Sequence, residues 1–305
     1  MFLTRKGAAQ LSLLVVIGLF VLKIVVSVMT GSISILAQSA DSFLDIFAVL
    51  ITFLAVVVSV KPADENHPFG HGKVEYIATV VQGLLILSAG GLIIYSAILR
   101  IIEGTSIELT EAGIGVMLVS MVASILLSRH LRKVARLTDS MALEANAQNI
   151  NADIYSAAAV LIGLVIIRFT KLNIIDPILA LLVSLFILKV GCETMMKSFS
   201  GLVDTRLPDI EEIEIKACIT EHYSELVSFH KLRTRKAGSQ RYIDLHLVMP
   251  KNASIEEAHR MCDHLEQDIE SRLRTTSVTI HVEPCSIECD QCRVSCSLRI
   301  SDPKF

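Results

Sequence analysis

Residues 36–60 read LAQSADSFLDIFAVLITFLAVVVSV, an apolar run that carries two aspartates. A helix that spans a membrane needs roughly 20 mostly apolar residues, so this run is long enough to cross a bilayer. Asp41 and Asp45 are four positions apart and would lie on one face of that helix. A charge at mid-bilayer costs on the order of 2.5–3.5 kcal/mol even on the mildest scale. The stretch therefore predicts a membrane helix whose two carboxylates form part of a binding site.

Five further runs are long and apolar enough to span a membrane, at about 9–30, 76–100, 112–131, 148–168 and 174–197. The first run is longer than the apolar region of a signal peptide and has no A-x-A site after it, so we expect it to be retained. Residues 1–203 are thus predicted to form an all-α, six-span transmembrane domain. With 52% hydrophobic residues and a net charge of −3, nothing in the chain favours nucleic acid as a partner.

The distribution of Lys and Arg predicts the orientation of the spans. If both termini are cytoplasmic, the inside set is Arg5, Lys6, Lys61, Lys73, Arg129, Arg132, Lys133 and Arg136. The outside set is then only Arg100, Arg168 and Lys171. Positive residues concentrate on the cytoplasmic side, so this arrangement is favoured. Lys23 lies inside the first span and is expected either to snorkel or to face the helix bundle.

Residues 204–285 alternate in type as a small soluble domain does. Amphipathic helical patterns at DIEEIEIKACITEH and SIEEAHRMCDHLEQDIESRL alternate with strand patterns at LVSFHKLRTRKAG, QRYIDLHLVMP and TSVTIHVEP. Ser254, followed by acidic residues, is a signature of a helix start. The order predicts an α-β-β-α-β, α+β domain with its helices on one sheet face. Residues 286–305 form a Cys-rich tail.

A second spaced pair of polar residues lies in the fifth apolar run, where Asn149 and Asp153 repeat the four-residue spacing of the aspartates. Two helices with such pairs can converge on a four-ligand cage for a divalent cation. The competing interpretation is that these groups only hydrogen-bond between helices, as single Asn or Ser residues often do. Asn151 points to another side of the helix and is expected to be such a contact, or a cap.

Two further groups of metal-ligating residues lie outside the spans. The loop KPADENHPFGHGKVEY places Asp64, His67 and His71 close together, which suits either a surface metal site or a solvated loop. In the soluble domain, the candidate ligands are His230, His246, His259, His281 and Glu283. Each histidine alone is better explained as an ordinary polar contact, but together they favour a regulatory metal site on a sheet face.

Four cysteines in EPCSIECDQCRVSC, namely Cys285, Cys289, Cys292 and Cys296, are spaced C-x3-C-x2-C-x3-C. The central C-x2-C is a spacing typical of metal sites, and clustered thiols indicate a reducing compartment. The spacing favours a thiolate metal site, and the alternative is a flexible tail of reduced thiols. Cys285 is also a candidate member of the preceding domain.

Several stretches together resemble the cation diffusion facilitator family, close to its bacterial zinc and ferrous-iron efflux branch. They are SILAQSADSFLD, KPADENHPFGHGKVE, FHKLRTRKAG, DLHLVMP, IHVEPC and the N-x-x-x-D pair, and the resemblance extends from about residue 8 to 285. It implies a homodimer in the bacterial inner membrane, with six spans per protomer and a cytoplasmic metallochaperone-like domain. It also implies exchange of a divalent metal for protons by alternating access, with no organic cofactor and no enzymatic reaction.

The resemblance also implies roles for particular residues. The transport site falls on Asp41, Asp45, Asn149 and Asp153, and the loop site on Asp64, His67 and His71. A cytoplasmic site for two metal ions falls on His230, His246, His259, His281 and Glu283. Lys73 and Asp204 match a charge interlock between protomers. The zinc branch has His in place of Asn149, and commonly Asp in place of Glu283.

Asn149 bears on the choice of metal because it makes the predicted cage all-oxygen. Zn²⁺ favours a mixed nitrogen and oxygen set, whereas Mn²⁺ and Fe²⁺ lose less when a nitrogen ligand is absent. Asn cannot titrate, so proton exchange would rest on the aspartates. The predicted function is antiport of Zn²⁺, Fe²⁺ or Mn²⁺ against protons. A proton-independent acidic channel and an intramembrane aspartyl enzyme are the alternatives.

Overall fold

The computed structural model describes residues 3–30, 33–103, 111–170, 174–222 and 226–285. The chain divides into two units, Met1–Leu202 and Val203–Phe305. Each unit has its own buried core.

Six long helices make up the described part of the first unit. They are α1 (Arg5–Thr30), α2 (Ile33–Ser59), α3 (Val74–Glu103), α4 (Glu111–Thr138), α5 (Met141–Thr170) and α6 (Ile175–Leu202). Each coincides with one of the predicted apolar runs, with α2 and α6 one residue short of the run at one end, which confirms the helical class of this part of the chain. The helices α4 and α5 extend several residues beyond the apolar runs, because polar residues at their adjoining ends are still helical.

Among the described residues, five helices are long and apolar enough to cross a membrane by length and composition, and α5 is not one of them. The first half of α5 reads MALEANAQNINADIY and carries amides and carboxylates where the other helices carry aliphatic residues. These polar groups lower the hydropathy of α5. The sixth span therefore stays a prediction. The polar segment that lowers the hydropathy of α5 includes the predicted ligands Asn149 and Asp153.

Close packing between α3 and α6 depends on small residues. A Cβ atom added at Gly83 would lie 3.1 Å from the Cβ of Met195, and one at Gly201 would lie 2.5 Å from the Tyr76 ring. Glycine lets two helix backbones approach in this way, and such contacts are a common means of helix association in membranes. Large apolar side chains elsewhere on these helices are exposed, as expected for surfaces that face lipid.

Polar contacts also join the helices of the first unit. Lys23 Nζ donates to Ser42 Oγ on α2 at 2.6 Å, so this lysine faces the bundle, one of its two predicted environments. Ser128 Oγ on α4 donates to Asn151 Oδ1 at 2.7 Å, which confirms Asn151 as an interhelical contact.

The second unit is an α+β layer with the predicted order of elements: α7 (Asp209–Glu221), β1 (Ser228–Ala237), β2 (Gln240–Met249), α8 (Ile255–Arg272) and β3 (Thr276–Pro284). The sheet order is β1-β2-β3, with β1 antiparallel and β3 parallel to β2. The hairpin turns at Gly238, whose φ of 63° suits a residue without a Cβ. Ser254 and Glu257 form a reciprocal capping box at the start of α8.

The core of the second unit lies between the sheet and the two helices. Alternate residues of β2, Ile243, Leu245 and Leu247, are fully buried and pack against residues of both helices such as Ile219 and Leu265. Burying side chains of this size contributes about 1.5–3 kcal/mol each. The intervening residues of β2, including His246, therefore project from the opposite sheet face.

Candidate functional site

The two polar pairs predicted for transport lie on α2 and α5, helices that contact each other. Asn149 and Asp153 are one turn apart on α5, and Asn149 is 8% exposed. Asp45 is half-buried on α2, and Asp153 is exposed. The side chain of Asp41 lies outside the part of the chain that the structure describes. The structure thus brings the two helices together, and the four-ligand cage stays a prediction.

Lys23 on α1 hydrogen-bonds to the segment of α2 that carries the two aspartates. Its partner Ser42 follows Asp41 directly and lies three positions before Asp45. An ammonium group in an apolar bundle is stabilised by polar or anionic neighbours. Lys23 is therefore part of the polar surroundings of α2, which the spacing of the carboxylates alone did not indicate.

Asp64, His67 and His71 come together in the loop between α2 and α3. Asp64 Oδ1 lies 3.0 Å from His67 Nδ1, and Asp64 Oδ2 lies 3.4 Å from His71 Nε2. A hydrogen bond from the His67 backbone N–H, and a second hydrogen bond with the His67 ring, hold the pKa of the Asp64 carboxyl below its usual value. One carboxylate and two imidazoles within 4.8 Å of one another can share a single ion.

Three histidines form a row across the outer face of the sheet, which we call the histidine row (His230, His246 and His281). The register pairs His230 with His246 and His246 with His281. The ring centroids are 5.3 Å and 4.7 Å apart. A bulge between His230 and Arg233 shifts the register of β1, and Lys231 within it has a φ of 51°.

Glu283 joins the histidine row from β3. Its Oε1 lies 2.7 Å from His246 Nδ1, and its Oε2 lies 3.2 Å from His230 Nε2. The hydrogen bond with His246, assisted by the nearby charge of His230, lowers the pKa of the Glu283 carboxyl. His281 Nε2 is more distant, at 3.9 Å from Oε1. Two imidazoles and a carboxylate here have the ligand types and the proximity for a divalent metal.

His259 lies apart from the other cytoplasmic candidate ligands, and Cys285 lies in the preceding domain, one of the two locations predicted for it. His259 lies on α8 with 73% of its side chain exposed, 3.6 Å from Asp263, and does not belong to the group that His230, His246 and Glu283 form. Cys285 is buried, and its backbone N–H bonds to the Met249 carbonyl, so it belongs to the end of the sheet. Cys289, Cys292 and Cys296 lie outside the described residues.

For the predicted interlock, the structure describes the surroundings of Asp204 within the second unit. Asp204 has a φ of 58°, and its Oδ1 lies 3.5 Å from Arg235 Nη1. The pairing of Asp204 with Lys73 stays a prediction.

A buried carboxylate that the sequence analysis did not single out joins several helix ends. Glu75 is fully buried at the start of α3. Its two oxygens accept hydrogen bonds from Ser59 (2.9 Å), Ser140 (2.7 Å), the Ala142 backbone (3.3 Å) and Arg5 (3.4 Å). We call these residues the Glu75 cluster. The sequence signal was a carboxylate directly after the Gly-rich loop, at the first turn of an apolar helix.

Comparisons with known proteins agree with this arrangement. Residues 9–203 match the model of the cation efflux transmembrane domain, and residues 207–285 match the model of the cation efflux protein cytoplasmic domain. The cation-efflux pump FieF of Salmonella paratyphi A is 34% identical over 270 residues, which cover 88% of this chain and 89% of the pump. An uncharacterised transporter of Synechocystis, sll1263, is 29% identical over 263 residues, covering 86% of this chain and 85% of the transporter.

A solved structure also matches, described as the mode of action of a candidate zinc transporter, CzrB. It is 37% identical with a TM-score of 0.26 and covers 26% of this chain and 99% of its own. The family assignment rests on the two domain matches and on FieF. Together with the apolar helices and the α-β-β-α-β unit, those matches show that the chain belongs to the cation diffusion facilitator family of membrane transporters, which export divalent metal cations.

Proposed function

We propose that this chain exports Zn²⁺, Fe²⁺ or Mn²⁺ from the bacterial cytoplasm in exchange for protons. The cargo would bind between α2 and α5, at Asp41, Asp45, Asn149 and Asp153. The observation that carries the proposal is that these contacting helices each bear a polar pair at four-residue spacing, with Asn149 almost fully buried. Polar groups inside an apolar bundle mark ion pathways by default. Access would alternate between the two sides of the membrane.

The donor set favours ions that accept oxygen ligands. Three carboxylates and one amide bind a metal ion through oxygen and supply no nitrogen ligand. Compared with a site that includes an imidazole, Mn²⁺ and Fe²⁺ would therefore lose less affinity here than Zn²⁺. The carboxylates must be deprotonated to bind the ion, so metal binding releases protons and metal release allows their return. The amide of Asn149 can hold the ion but carries no proton.

The test is transport into proteoliposomes of the purified full-length protein, with a panel of Zn²⁺, Fe²⁺, Mn²⁺, Co²⁺ and Cd²⁺ and with pH gradients of both directions. We expect metal uptake to rise when the lumen is more acidic than the medium, because protons then leave as metal enters. Uptake should fall when this pH gradient is reversed. Flux that is indifferent to the gradient would support the acidic channel instead.

Asn149→His tests the source of the selectivity. This variant should move the preference toward Zn²⁺, because imidazole supplies the nitrogen that tetrahedral zinc favours. The matched control is Asn151→Ala, two positions along the same helix, which should keep the wild-type preference. A wild-type protein that strongly prefers Zn²⁺, together with no effect of Asn149→His, would refute the selectivity argument.

Asp45→Ala tests the location of the cage. We expect it to abolish transport while the protein still elutes at the wild-type size. Normal flux in Asp45→Ala would place the cargo elsewhere.

The histidine row and Glu283 are proposed to hold cytoplasmic metal that regulates transport. His259 lies apart from this group and stays a predicted ligand. We further propose a homodimer assembled through the cytoplasmic domain and strengthened by the Lys73–Asp204 interlock. Support comes from the close ligand atoms at Glu283 and from the match to the family's cytoplasmic domain. The bias of Lys and Arg supports cytoplasmic termini.

The loop group (Asp64, His67 and His71) and the tail thiols are proposed as further metal sites. The close contacts of Asp64 with both imidazoles support the first. For the tail, a chain truncated after Pro284 should bind fewer metal ions than the full chain. Unchanged metal content would mean that the tail binds none.

A further inference from the structure

A separate group of ligand atoms lies on the helix side of the second unit, in residues that the transport proposal does not use. His222 Nε2 lies 3.2 Å from Asp268 Oδ2, and His264 Nε2 lies 3.8 Å from the same oxygen. One ligand atom from each residue falls within 4.8 Å of the others. Three donors at such distances can be drawn onto one ion by small side-chain rotations.

The two helices of the unit supply these residues. His222 is the C-cap residue of α7, and its backbone N–H bonds to the Ile219 carbonyl. His264 and Asp268 are four positions apart on α8, so they share one helix face. The rings of His222 and His264 meet edge to face, with centroids 4.9 Å apart. The group therefore joins the end of α7 to the middle of α8.

The surroundings of the His222 ring indicate a cation. Its Nδ1 lies 3.0 Å from the Cys218 carbonyl oxygen, which can only accept a hydrogen bond, so Nδ1 carries a proton. Its Nε2 faces the Asp268 carboxylate, which is also an acceptor. Both nitrogens are satisfied only if Nε2 binds a second proton or a metal ion. The side chain of His222 is 11% exposed, which limits its escape to solvent.

Metal-binding histidines typically donate their second ring N–H to a backbone carbonyl or a carboxylate, which orients the ring and fixes its tautomer. The Cys218 carbonyl serves that purpose for His222. Two imidazoles and one carboxylate, with further positions left to water, form a common ligand set for Zn²⁺ and related first-row ions. We propose that His222, His264 and Asp268 bind a divalent transition-metal ion, with Zn²⁺ as the probe.

This site is distinct from the histidine row. His246 lies on the outer sheet face, while Leu245 and Leu247, on either side of it in β2, are buried against the helices. The apolar core of the unit therefore separates the two groups, and each should fill independently. An ion at the helix site would link α7 to α8 and restrain the end of α7.

The test measures zinc bound to the full-length protein in detergent, by equilibrium dialysis after chelator treatment, followed by elemental analysis. His264→Gln is the variant of choice because 60% of its side chain is exposed, so its loss should not disturb folding. We expect it to bind one zinc ion per chain fewer than wild type. Glu270→Gln, an exposed change on the same helix, is the matched control and should bind as much as wild type.

His246→Gln separates the two groups. It should lose zinc from the histidine row only, and the double variant His246→Gln/His264→Gln should lose both contributions. Wild-type zinc content in His264→Gln would overturn the proposal. So would a double variant that loses no more than His246→Gln alone, because His264 would then act through the histidine row. Neither result would alter what His246→Gln reveals about the row itself.

Discussion

Glu75 offers a sharp test of what holds the membrane helices together. Replacing it with Ala removes the acceptor for four donors and leaves Arg5 next to Thr138 without its carboxylate partner. Removing one partner of a buried ion pair costs about 3–5 kcal/mol, because the remaining charge is left uncompensated. Ser140→Ala, which removes one donor at 2.7 Å, should cost only about 1.5–3 kcal/mol.

These free energies can be read as melting temperatures. For a unit of roughly 200 residues, 1 kcal/mol shifts the midpoint by about 2–4 °C, so Glu75→Ala should melt on the order of 10 °C below wild type. The assay is the fraction of detergent-solubilised protein that elutes at the native size after heating. The matched control is Glu65→Ala, an exposed glutamate in the preceding loop, which should melt as wild type does.

Two results would refute the reasoning about Glu75. The first is a midpoint for Glu75→Ala within about 2 °C of wild type, since a loss of about 3–5 kcal/mol cannot give so small a shift. The second is a Ser140→Ala variant that is less stable than Glu75→Ala, because a single donor cannot contribute more than the carboxylate that binds it.

Further predictions concern packing and pH. Gly201→Ala should lower the free energy of unfolding by about 1–3 kcal/mol, because the new Cβ would lie 2.5 Å from the Tyr76 ring. Gly91→Ala is the control and should not destabilise the protein, because a Cβ there would have nothing within 4 Å. Equal melting temperatures of the two variants would contradict this reasoning. Hydrogen bonds from Ser254 lower the pKa of Glu257, so the carboxylate's stabilisation of α8 is present above the unfolded glutamate pKa of about 4.3. It is lost as pH falls through the lowered folded value. Glu257→Gln keeps a capping partner but removes this titration, so melting-midpoint curves of variant and wild type should differ in slope only in that acidic window.

The helices, the strands and their order could be predicted because each depends on local periodicity. Helices repeat every 3.6 residues and strands every 2.0 residues, so both patterns can be recognised in a short stretch of sequence. The spacing of Asn149 and Asp153 is equally local, and so is that of His281 and Glu283. Candidate ligands with such spacing can therefore be identified from the sequence alone.

Other features depended on residues that are distant in the chain. Nothing near Glu75 indicates that Ser140 and Arg5 would meet it, because their sequence separation is bridged only when the helix ends converge. His222 and His264 likewise meet only through the packing of α7 on α8. His259, one turn before Asp263, has the same residue type as the histidine row, yet α8 presents it elsewhere.

The sequence by itself determined the class of each segment, the pairs of ligands along one helix or strand, and the resemblance to metal exporters. Only the tertiary structure decided the register that aligns His230, His246 and His281. It also decided the burial of Glu75, whose carboxylate accepts hydrogen bonds from several helix ends. The physical reason is range: hydrogen-bond geometry sets spacing within an element, whereas contacts between elements are selected by burial of the whole core.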